Sequence, residues 1–106
     1  MICVTVLYPQ TEGARFDWAY YVKKHIPMVR QKLGAVLNGV LIERGLAGEA
    51  SPDTPAPFVA VVDLLFDSVE AFQAAFEAAE AEIVADMPNY TSIEPVVQIS
   101  EALITC

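Results

Sequence analysis

The chemistry-bearing side chains of this chain are gathered in one short segment, "RFDWAYYVKKHIPMVR" (15–30). It holds the only histidine, His25, the only tryptophan, Trp18, and the adjacent Tyr20 and Tyr21, with Pro27 two residues beyond the histidine. An imidazole exchanges a proton near neutral pH, and a neighbouring tyrosine hydroxyl orients a substrate oxygen. On an ideal helix Trp18, Val22, His25, Val29 and Leu33 share one face with Tyr21 at its border, so His25 is expected in the stripe that packs on a sheet. Phe16 and Tyr20 fall on the opposite side in that phase. Pro27 removes a backbone hydrogen bond and crowds the turn before it, which predicts a kink near His25 and carbonyls near positions 22–23 without their usual partners. A kink of this kind opens space between helix and sheet, and ligand sites are apolar spaces with a few placed polar groups. The plainer reading of the same residues is a satisfied core histidine among tyrosines that simply pack.

The elements that must position this segment follow from periodicity. "ICVTVLY" (2–8) alternates and is rich in β-branched residues, as a strand requires. A Pro- and Gly-punctuated loop (9–14) leads into a helix from Arg15 to about Leu33, and Gly34 suits the position just past its end. "AVLNGVLIERGLAG" (35–48) returns to strand composition, "EASPDTPAP" (49–57) is a hairpin loop, and "FVAVVDLLF" (58–66) is a strong strand. In "DSVEAFQAAFEAAEAEIVADM" (67–87), Asp67 and Glu70 form a capping box, and Val69, Phe72, Phe76, Ala79 and Ile83 make the apolar stripe. "PNYTS" (88–92) is a turn and "EPVVQISEALIT" (94–105) the final strand. The order β-α-β-β-α-β specifies an α+β, ferredoxin-like single domain over residues 1–106, with two helices on one face of a four-stranded antiparallel sheet.

One strand asks for more. In "FVAVVDLLF" Phe58, Ala60, Val62, Leu64 and Phe66 lie on one face and Val59, Val61 and Leu65 on the other, with only Asp63 polar. A sheet with one wet face should alternate apolar and polar residues. Both faces are therefore expected to be covered, one by the helices and the other by the sheet of a second subunit in a two-fold dimer.

Composition narrows the functional classes. Fourteen acidic residues against six basic ones give a net charge of −8, a field that repels phosphate backbones and argues against nucleic acid as a partner. Five of the six basic residues (Arg15, Lys23, Lys24, Arg30 and Lys32) cluster in the histidine segment and the two positions after it, as a solvated helix face or as a local attraction for an anionic substrate. No apolar run reaches the ~18–20 residues that span a bilayer, and the chain begins in a strand-like segment without a secretory leader, so a cytoplasmic, non-membrane protein is expected. The two cysteines, Cys3 and Cys106, sit near opposite ends without metal-ligand spacing. That supports no metal site, and a disulfide between them is not expected in a reducing compartment.

The pattern Phe16-x-x-x-Tyr20-Tyr21-x-x-x-His25-x-Pro27 resembles the signature of the EthD family, small proteins of the dimeric α+β barrel superfamily named for a component of ethyl tert-butyl ether degradation. "ADMPNYTSIEPVVQIS" is similar to that family's closing turn and last strand, so the resemblance runs from Ile2 to about Glu101. It implies a homodimer with apposed sheets and, in each subunit, a cleft for a small hydrophobic or aromatic molecule. It also implies cofactor-free proton transfer or oxidation, as in related barrels that act as monooxygenases, muconolactone isomerases, dehydratases or decarboxylases. His25 would be the acid or base, Tyr20 or Tyr21 would position the substrate oxygen, Phe16 and Pro27 would shape the cleft, and Tyr90 would stand at its mouth. Trp18, outside the family pattern, joins the expected substrate contacts. The alternatives are a non-catalytic dimeric carrier of a hydrophobic metabolite and, from barrels that bind haem through a histidine, haem handling.

Overall fold

Four strands, β1 (Ile2–Pro9), β2 (Gly39–Arg44), β3 (Phe58–Phe66) and β4 (Val96–Glu101), form one antiparallel sheet in the order β2-β3-β1-β4 in the computed structural model, which describes residues 1–104. Cys106, and with it the Cys3 pairing weighed from the sequence, lies outside the described residues. The helical segments α1 (Trp18–Tyr20), α2 (Ile26–Leu33) and α3 (Val69–Asp86) complete the expected β-α-β-β-α-β order. Among the described residues no helix is long and apolar enough to cross a membrane.

Strand register sorts the side chains. Val4 stands opposite Leu64 and Val6 opposite Val62, and Val4, Tyr8, Ala60, Val62, Leu64 and Phe66 form the buried face beneath the helices. Leu7, Val61, Asp63 and Leu65 point to the other side and stay half-buried, while Leu41 and Val96 of the same side are 56% and 54% exposed. The carboxylate of Asp63, in the middle of that face, accepts a 2.8 Å hydrogen bond from Thr5 Oγ1 and a longer one from the Cys3 thiol.

Several boundaries are shorter than the sequence suggests. The 35–48 segment divides into a 3-10 turn at Gly34–Val36 and the strand Gly39–Arg44, because the chain must turn before it can pair with β3. At the far end of β2, Gly45 donates to the Val59 carbonyl at 2.9 Å so close to β3 that a Cβ would meet the Phe58 carbonyl. The closing strand occupies Val96–Glu101 rather than 94–105, since pairing with β1 stops at Ile2. The α3 cap also moves by one residue. Ser68 accepts from the Ala71 N–H at 3.1 Å, while Asp67 is taken up by the Asn38 side-chain amide at 2.8 Å, so the Asp67–Glu70 box does not form.

Near the expected kink, the chain between α1 and α2 makes a π-helical turn, Tyr21–His25, in which the Ile26 N–H reaches back to the Tyr21 carbonyl. Pro27 supplies no N–H to the preceding turn, and the wider turn absorbs the gap. Widening also changes the phase. Tyr21, His25, Ile26, Val29 and Leu33 become the buried stripe, and Val22, expected within it, is 50% exposed. Asp17 caps the segment by accepting from the Tyr20 N–H at 3.1 Å.

Gly34 ends α2 with φ 66 and ψ −147, donating its N–H to the Arg30 carbonyl. Those angles are open almost only to glycine, and nothing lies within 4 Å of where a Cβ would stand. Gly34→Ala is therefore expected to destabilise the fold through backbone strain alone, by about 1–3 kcal/mol, measurable by denaturant unfolding.

Candidate functional site

α3 does not settle fully onto the sheet. Of its apolar stripe only Ala79 is fully buried; Phe72, Phe76 and Ile83 are half-buried because they border an internal cavity. The cavity has a volume of about 440 Å³ and lies between sheet and helices. Val4, Val6, Val62 and Leu64 form its floor, Ile26, Val29 and Leu33 one wall, and Phe72, Phe76 and Ile83 the other. It opens between α3 and the edge strand β4, where Val84 and Val97 are 50% and 56% exposed.

His25 lines this cavity and is only 4% exposed. Its Nδ1 lies 2.8 Å from Asp86 Oδ2 at the end of α3. With the carboxylate ionised, Nδ1 carries the proton and Nε2 is left with its lone pair. Nε2 has no protein partner among the described residues, yet no buried side-chain nitrogen or oxygen there is left unsatisfied, so Nε2 must border open space. The ring is clamped between aromatics: Tyr21 stacks on it at 5.4 Å between centroids and Tyr90 tilts against it at 4.5 Å.

Burial pushes the His25 pKa below its ordinary value, and Asp86 only partly counters that effect. Burial alone would raise the Asp86 carboxyl, but hydrogen bonds from Tyr20 (2.6 Å), Asn89 (2.9 Å) and His25 outweigh it and hold the group below the usual carboxylate range. The pair at neutral pH is thus a neutral imidazole beside a carboxylate, with a base aimed into an apolar space.

A second polar group faces the same space. The Tyr8 and Tyr90 hydroxyls lie 2.9 Å apart and share one hydrogen bond. Two hydroxyls joined by one bond leave one O–H over, free to donate to a ligand oxygen. Burial raises the pKa of Tyr8, Tyr21 and Tyr90 alike, so all three remain neutral donors. Tyr90 is held there by an antiparallel bridge between Phe16 and Thr91, with the Asp17 N–H on the Tyr90 carbonyl at 2.7 Å and Thr91 Oγ1 on the Arg15 carbonyl at 2.8 Å.

His25, Tyr21 and Tyr90 of the sequence-predicted residues meet at the cavity. Tyr90 is fully buried at its inner end rather than at the mouth. Tyr20 points outward and reaches the site through Asp86, bordering a separate outer groove. Phe16 packs behind Tyr8, Tyr21 and Tyr90 without lining the cavity, and Trp18 stacks on Phe16 with Arg44 5.8 Å above its ring. Pro27 is exposed on the helix and acts through the backbone. Sequence reasoning missed Asp86, Asn89 and Tyr8. An acid in the last turn of a helix opposes the helix dipole, and α3 has no basic residue there to excuse it. That was the available sign of a carboxylate kept for another purpose. Among the described residues no group of three or more His, Cys, Asp or Glu side chains is placed to hold a metal ion.

The EthD domain family model matches residues 10–94, a span that contains His25, Asp86, Tyr21 and Tyr90 but not Tyr8 or the cavity-lining Val4, Val6 and Val97. This chain belongs to the EthD family. An EthD-like protein from Ralstonia eutropha JMP134 is 50% identical, with 97% of this chain and 92% of that one aligned at a TM-score of 0.91. An ethyl tert-butyl ether degradation (EthD) family protein from Bacillus halodurans C-125 is 20% identical over 97% and 99% of the two chains, at a TM-score of 0.67. An Arabidopsis thaliana protein shares the fold at 11% identity and a TM-score of 0.68, over 100% and 99%. No curated protein matches the chain.

The only imidazole of this EthD-family chain gives a single NMR titration curve. Its midpoint is expected below 6.5, and lower still in Asp86→Asn, which removes the charge that favours the protonated ring. Stability follows the same sign. Below 6.5 the unfolded chain takes up the proton before the folded chain does, so unfolding free energy is greatest above 6.5 and drops as pH falls through the folded value. Asp86 extends the loss below 3.8.

Proposed function

We propose that this EthD-family protein is a cofactor-free acid–base enzyme acting on a small apolar or aromatic molecule bound in the helix–sheet cavity. The observation that carries the reading is the 2.8 Å contact of His25 Nδ1 with Asp86, which leaves Nε2 as an unpartnered base in an apolar space. A ligand C–H or O–H gives its proton to Nε2, Asp86 supports the imidazolium that results, and the spare hydroxyl proton of the Tyr8–Tyr90 pair stabilises the ligand oxygen as negative charge gathers on it. Returning the proton to another atom yields an isomer or, with loss of a leaving group, an elimination product. Reaction of the deprotonated ligand with dioxygen yields an oxidised one.

Mass-spectrometric turnover of a panel of phenols, anthrones, enol lactones and ethers, run with and without oxygen, tests this. Wild type is expected to form a product that a folded His25→Ala variant forms at least about 10²-fold more slowly. Oxygen dependence separates oxidation from isomerisation or elimination. If both proteins bind the same compound and neither converts it, the cavity is that of a carrier and the catalytic role of His25 is wrong for that compound.

The dimer expected from β3 is proposed on the same footing. Half-buried Val61 and Leu65, with Leu7 and the exposed Leu41 and Val96, make an apolar sheet face on the side away from both helices. Sedimentation at micromolar concentration should give twice the 11.5 kDa chain mass, and Leu41→Arg should shift the protein towards monomer. A wild-type monomer would sink the proposal.

A further inference from the structure

Among the side chains around the cavity His25 is the one imidazole and Glu80 the one carboxylate, and no lysine or arginine is among them. The basic cluster of the first helical segment looks elsewhere: Lys23, Lys24 and Arg30 are exposed, and Lys32 pairs with Glu82 of α3 at 3.0 Å. Phe76, Glu80 and Val84, four residues apart on α3, stand in line along the opening. The rim facing β4 is therefore apolar except for one carboxylate.

We infer that the cavity admits uncharged ligands and rejects anions, with Glu80 as the residue at its mouth that sets this preference. The inference rests on the cavity being the ligand site proposed above. A carboxylate or phosphate entering would leave water for a space with no cation to receive it, and would pass a like charge on the way. A neutral ligand meets neither penalty. It carries its acidic hydrogen inside, and the negative charge arises only when His25 takes that proton, so the counter-ion is made at the same moment as the anion. A ligand already negative would hold a proton on His25 and disarm the base. The substrate class is thus a neutral molecule with one acidic hydrogen next to a hydrogen-bond-accepting oxygen, in a space with room for roughly fifteen water-sized groups.

Two probes with the same ring system and different charge test this: 2-acetylnaphthalene and 2-naphthoate, titrated by calorimetry at pH 7.5 into wild type, Glu80→Gln and Glu80→Lys. Glu80 is exposed, and thermal melts confirm that the variants fold. Wild type is expected to favour the neutral ketone by about tenfold or more, and Glu80→Lys to shrink that ratio by about tenfold, with Glu80→Gln between them. Equal wild-type affinities, or a ratio that Glu80→Lys leaves unmoved, would overturn the charge preference while leaving the cavity as a binding site. Failure of both probes to bind wild type would overturn the cavity reading and this inference together.

Discussion

An imidazole beneath two helices must have one nitrogen satisfied by the protein if the other is to be kept for a ligand, and in this chain Asp86 meets that condition. The carboxylate ends α3, receives His25 from the first helical segment, and is itself gripped by Tyr20 and Asn89. Each grip has a distinct effect. The bond to His25 selects the tautomer; the bonds from Tyr20 and Asn89 keep Asp86 ionised and aligned, so that it can select it. Because the contact spans the two helices, it also fixes how α3 sits over the sheet at the end where the cavity is deepest. The geometry of the wall and the ionisation of the base are thus one structural fact.

The aromatic cluster behind the site answers a different requirement. Tyr8 of β1, Tyr21 of the π-helical turn and Tyr90 of the closing loop come from three separate parts of the chain, with Tyr8 edge to face with both others and Tyr21 tilted against Tyr90 at 4.8 Å. Their rings line the cavity with apolar surface, and the Tyr8 and Tyr90 hydroxyls add a small polar spot to it. In the acid–base reading proposed above, such surroundings would leave the His25 lone pair to the ligand and offer a donor to the ligand oxygen.

Much of this was legible in the residues and some was not. The six elements and their order follow from periodicity and composition, since the helices and β1 are patterned in the ordinary way and β3 stands out as a run of apolar, β-branched residues. The placing of His25 and Tyr21 against the sheet was legible from their helical spacing. What periodicity could not supply was the phase after Tyr21: an ideal helix assumes one rotation per residue, the π-helical turn breaks that assumption, and Ile26 replaces Val22 on the buried stripe. Asp86 escaped because a charge near a helix end reads as solvated, and its meaning lies in a contact 61 positions away. Tyr8 escaped because it was counted as one more strand residue, although the inward register of Ile2, Val4 and Val6 runs directly into it.

The widened turn has a bearing on how this segment can change over evolutionary time. Tyr21 opens the widened turn, His25 closes it, and Ile26, Val29 and Leu33 follow in α2, so the turn sets how Tyr21 faces the residues after it. Exchanging a side chain alters one contact. The widened turn holds one residue more than an α-helical one, so losing a residue from it returns the chain to an ordinary turn, whereas losing one within α2 swings everything downstream by about 100° around the helix axis and turns the wall of the cavity out to water. The loops on either side, at 9–14 and 49–57, carry no such count. Length variation among kindred sequences should therefore gather in those loops and be purged from α2.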